Sequence, residues 1–130
     1  MPRFMVMIKA NSQSESGIQP SEHLQDEMGR FNEELVRAGI RLAAEGIQPS
    51  SKGARVTFKD GKAKVVDGPF AEAKELVAGF WILQCKSLDE CIEWVKRVPV
   101  EALPGAITDG QIDILRLYDA EDVAQLSKGN

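Results

Sequence analysis

A chain of 130 residues, 43% hydrophobic and 28% charged, is sized for a single domain over residues 1–130 with its own core. Its net charge of −4 excludes the basic surface expected of a nucleic-acid binder. The opening apolar run between Arg3 and Lys9 is too short for a signal-peptide core or a membrane span. Cys85 and Cys91 form no C-x-x-C pair, so two buried free thiols in a cytoplasmic protein are expected, with no membrane partner.

Residues 3–9 place Phe4, Val6 and Ile8 on one strand face and Met5 and Met7 on the other, the signature of a strand covered on both sides. The polar stretch 11–20 reads as a mobile loop. From Pro20 to Ala38 the period becomes helical, with Leu24, Met28, Phe31, Leu35 and Ala38 on one stripe. Ser21 is its N-cap and Gly39 its stop. A short second strand follows over 40–44.

Residues 54–66 predict a hairpin about Asp60-Gly61, with Lys59 opposite Lys62, Phe58 opposite Ala63 and Val56 opposite Val65. One face is apolar (Val56, Phe58, Ala63, Val65). The other carries Arg55, Thr57, Lys59, Lys62 and Lys64, a solvated face or an anion-attracting one. Residues 79–85 form another strand, with Phe80 and Ile82 facing one way and Trp81, Leu83 and Cys85 the other. Ser87 to Glu90 is a capping box that opens a helix ended by Pro99. A Pro/Gly-marked loop leads to a last strand over 112–118, and 124–130 reads as a C-terminal tail.

The order is β-α-β, a hairpin, then β-α-β, an α+β ferredoxin-like domain with an antiparallel sheet. Two helices cover only one sheet face, yet strands 3–9, 79–85 and 111–118 are apolar on both. A homodimer joined through the sheet face is therefore expected.

The stretch "DGPFAEAKE" (67–75), followed by "GFWIL" (79–83), resembles the YCII-related family, in the branch named for its DGPF motif. "EGIQPS" (45–50), "SLDECIEWVKRVP" (87–99) and "GQIDILRLYDAEDV" (110–123) are similar to the same branch. The resemblance implies a dimeric α+β barrel. It implies too an enzyme in which a histidine near the start of the first helix works with an acidic residue. The branch's closing strand places its arginine one position away from Arg116, and a one-residue slip reverses a strand side chain, which removes the basis for a site role. Several members of the branch sit beside alternative sigma factors.

These readings converge on a small-molecule pocket worked by cofactor-free acid–base chemistry. His23, the lone histidine, and Asp67 form the proposed catalytic pair. Their structural alternatives are a surface pairing of His23 with Glu27 and an Asx-type turn at Asp67. Ser50, Ser51, Arg55, Phe70, Glu72, Lys74 and Glu75 are the candidate substrate-binding residues, although Phe70 could equally plug the core. No His/Cys cluster points to a metal, and no cofactor motif is present. The alternative is a non-catalytic small-molecule sensor or accessory protein in a sigma-factor-linked circuit.

Overall fold

The computed structural model describes residues 1–99 and 110–128. Its elements are β1 (Arg3–Lys9), α1 (Ser12–Ser16), α2 (Glu22–Arg37), β2 (Arg41–Gly46), β3 (Ala54–Lys59), β4 (Lys62–Asp67), β5 (Val77–Gln84), α3 (Leu88–Val95), β6 (Ile112–Arg116) and α4 (Ala120–Lys128). Four strands form one sheet in the order β2-β5-β1-β6, antiparallel throughout, while β3 and β4 pair as a separate two-stranded sheet. This is the expected ferredoxin-like α+β arrangement.

Alternation sets which side chains enter the core. Phe4 and Val6 of β1 and Trp81 and Leu83 of β5 point to the helix side and are buried with Phe31 and Leu35 of α2. Trp81 meets Phe31 edge to face at 5.9 Å, and its indole N–H donates to Asn32 Oδ1 at 2.7 Å, so its one polar atom is satisfied. Met5, Met7, Phe80 and Ile82 lie on the opposite, half-exposed face. Cys85 and Cys91 are free and buried, as expected. Burial raises both thiols, and Cys91 is pushed up to about 12 by that burial and by the neighbouring Cys85.

The caps follow the sequence as well. Ser21 Oγ accepts from Leu24 N–H at 3.3 Å, and Ser87 Oγ from Glu90 N–H at 3.1 Å. The hairpin has the expected register, with Asp60 and Gly61 both at positive φ, 53° and 76°. Leu88, placed on the apolar stripe of α3, is instead exposed.

Two expectations about irregular segments are corrected. Residues 12–16, read as part of a mobile loop, form α1, because Asn11 and Ser14 cap one another reciprocally. The supposed tail from residue 124 continues α4 to Lys128, which opens on a matching exchange: Asp119 accepts from Asp122 N–H and Asp122 from Asp119 N–H. The loop expected before β6 falls largely outside the described residues.

Candidate functional site

The DGPF turn owes its shape to a close approach of two backbones. A Cβ on Gly68 would sit 1.8 Å from the Ser50 carbonyl oxygen, so only glycine fits there. Gly68 N–H donates to Gly53 O at 3.0 Å, tying the turn to the segment that follows β2, and the Gly68–Pro69 peptide is cis. Residues 50–52 form a single 3-10 turn facing it.

Ser50 is the junction of three segments. Its N–H donates to Glu15 Oε1 at 2.9 Å, and its hydroxyl donates to Glu15 Oε2. The same hydroxyl accepts from Phe70 N–H at 3.0 Å. One serine thus links α1, the loop after β2 and the DGPF turn, with Glu15, Ser50 and Phe70 each half-buried. The Arg55 guanidinium lies over the Phe70 ring, 4.1 Å from its centroid, and fixes the root of the hairpin to that turn. Phe70 is therefore a partner of Arg55 and not a plug in the central core.

Two clefts open beside this junction. One, of about 520 Å³, runs between α1 with its following turn and the 46–52 loop, and Glu15, Ile18, Gln48, Ser51 and Lys52 line it. The other, of about 330 Å³, shares Glu15, Gln48 and Lys52 and reaches Ser50 and Phe70. Ser50, Ser51 and Phe70 from the sequence-derived set therefore come together here, with Arg55 stacked behind Phe70. Glu72 precedes and Glu75 ends a 3-10 turn over Ala73–Glu75 that also holds Lys74; both glutamates are exposed and neither lines these clefts.

His23 lies in the first turn of α2, its side chain exposed and Nε2 3.5 Å from Glu27, one turn on. Asp67 ends β4 opposite Ala54 and is exposed. Among the described residues no hydrogen bond or ion pair joins the two. Arg116 stands 3.9 Å from Asp119 at the start of α4, well away from the cleft. Among the described residues there is no grouping of three or more His, Cys, Asp or Glu that could hold a metal ion.

Glu15 is the cleft residue that sequence reasoning missed. It lies 35 positions from Ser50 in a polar run with no long-range periodicity. The only local signal was the Asn11/Ser14 pair, which orders the run and aims the carboxylate.

A βαβ, hairpin, βαβ domain with helices on one sheet face and a loop-built cleft at one end is thereby defined. The chain belongs to the YCII-related domain family, whose model matches residues 2–115. An uncharacterized protein of Rhizobium meliloti (strain 1021) is 31% identical over 75 residues, covering 58% of this chain and 60% of the relative. The chain thus spans about 60% of that relative's length. Among the described residues no helix is long and apolar enough to cross a membrane.

Proposed function

We propose that this chain is a small-molecule-binding homodimer of the DGPF branch, cytoplasmic, with its ligand cleft between α1, the 46–53 loop and the DGPF turn. The observation that carries this reading is the Ser50 junction. Three segments distant in sequence meet through hydrogen bonds to one hydroxyl, which keeps the cleft walls preorganised. The cleft offers a carboxylate (Glu15), an ammonium (Lys52) and an amide (Gln48) beside Ile18, suited to a small polar molecule with a short apolar part. The half-exposed Met5, Met7, Phe80 and Ile82 supply the face through which two copies join.

Between enzyme and sensor, the geometry favours binding without His23–Asp67 catalysis, since His23 is engaged with Glu27 and both residues are exposed. If the cleft does acid–base work, Glu15 is the better-placed acceptor, already holding the Ser50 hydroxyl. A non-catalytic sensor in a sigma-factor-linked circuit fits the same cleft.

Ligand-observed NMR with a panel of small carboxylic acids, amines and amino alcohols tests this. Compounds that bind the wild type are expected to lose affinity at least tenfold with Glu15→Gln and to keep it with His23→Ala. Binding that depends on His23 and not on Glu15 overturns the assignment. So does a panel in which nothing binds.

A further inference from the structure

Small residues leave a gap between α2 and one end of the sheet. On the helix side, β2 and β5 set Ala44 against Trp81 and then Gly46 against Gly79, with Ile8 of β1 beside Gly79. Toward the other end the same face is closed by Phe4, Val6 and Leu83 with Leu35, all buried. At the glycine end Ile8, Met28 and Ala44 are only half-buried. They line a cavity of about 200 Å³ together with Trp81 and the two glycines.

The two glycines have different reasons. A Cβ on Gly79 would lie 3.2 Å from the Glu45 carbonyl oxygen, so the close pairing of β2 and β5 accounts for that one. A Cβ on Gly46 would meet nothing within 4 Å, and its φ is not positive. Neither packing nor backbone conformation demands glycine at 46. Its effect is to leave open space over bare strand, a flat floor beneath α2.

The cavity is apolar where it counts. Asn32 Oδ1 accepts from the Trp81 indole N–H, and Asn32 Nδ2 donates to the Met28 carbonyl, so this amide is already engaged. Ile8, Met28 and Trp81 supply carbon and sulfur surface. An apolar cavity of about 150 Å³ holds benzene, so this one has room for an aromatic ring.

Its position adds a polar end. Gly46 and Ala78 line both this cavity and the cleft of about 520 Å³, so the two spaces adjoin. Within the cleft, both Glu15 oxygens are engaged by Ser50. Lys52, by contrast, has no ion pair or side-chain hydrogen bond among the described residues. An unpartnered ammonium next to an apolar slot selects an anion with an apolar tail.

We propose that cleft and cavity form one site for an aromatic carboxylate, its carboxylate held by Lys52 and its ring seated between Met28 and Trp81 over Gly46. This rests on the small-molecule reading of the cleft and names the class of molecule it takes.

Ligand-observed NMR on the full chain, comparing 3-phenylpropionate and 4-phenylbutyrate with propionate and butyrate, tests it. The aryl acids are expected to bind at least about tenfold tighter, as burial of a ring requires. Ala44 lines the cavity and not the cleft, so Ala44→Leu should bring the aryl acids down to the level of the acyclic ones. Lys52→Met should weaken the aryl acids about tenfold. Without any variant, NOEs are expected from the ring protons to the Met28 methyl group. Aryl acids that bind no tighter than acyclic ones, a preference that survives Ala44→Leu, or ring NOEs confined to other methionines overturn the ring cavity and leave the cleft. Binding indifferent to Lys52→Met overturns the carboxylate anchor. If none of the four acids binds, the aromatic-carboxylate class is overturned, and the amines and amino alcohols of the wider panel decide the cleft itself.

Discussion

β5 and the β3–β4 hairpin are built from the same alternation and end in opposite surroundings. In β5, Trp81 and Leu83 are 4% and 1% exposed, sealed under α2 and α3. In the hairpin the equivalent valines and Phe58 face outward. Alternation decides which side chains share a face, but only a neighbouring element decides whether that face is covered. β5 sits in the middle of a sheet with strands on both sides, whereas each hairpin strand has one partner. The body is held by its core. The hairpin is an arm held at its root, by the Ser50 junction, the Gly53–Gly68 bond and the Arg55–Phe70 stack.

The sharpest way to break that contrast is in the body. Phe4→Ala empties a site that is fully buried between β5 and the helices, and is expected to cost about 3–5 kcal/mol. Urea denaturation of the full chain measures it. A loss below about 1 kcal/mol would mean that the core is not centred on β1 and β5.

Next comes the joint between body and arm. Gly68→Ala forces a methyl against the Ser50 carbonyl, so the two backbones must part at a cost of about 1–3 kcal/mol. Because the same parting disturbs the cleft, ligand affinity should fall together with the midpoint. Unchanged stability would show that the DGPF turn and the 50–52 turn do not touch.

The thiols of the body give a pH-dependent test. Cys91 is pushed up to about 12 from a reference of 9.0, with burial the first cause, so the folded state keeps its proton after the unfolded chain has released it. Stability from this group is therefore complete below about pH 9 and is lost as pH rises toward 12. Cys91→Ala should flatten the alkaline limb of a Tm-against-pH curve. An identical limb in both proteins would remove the thiol as its cause.

The body and the arm also differ in how much could be foreseen. Strand and helix order, the hairpin register, the Ser21 and Ser87 caps and the buried thiols are local or periodic, and period and cap chemistry are written in consecutive residues. The cleft is not of that kind. Ser50, Ser51 and Phe70 were picked out by the family motif, but Glu15 was lost in a polar run, since nothing near it announces a partner 35 positions away. α1 and α4 were missed for a related reason. Each is a short helix opened by a reciprocal cap on Asn11 or Asp119, and each shows too little apolar period to stand out from a loop.

The smallest expected effect is the most instructive about the arm. Phe58→Ala removes a ring that is mostly in solvent within one protomer, so protomer stability should change by no more than about 0.5 kcal/mol. Among the described residues β3 and β4 pack substantially only on each other, so truncating the ring unseats no other element. Urea midpoints of wild type and variant, taken at high dilution, should therefore nearly coincide. A large loss there would place a cover for the ring inside the protomer.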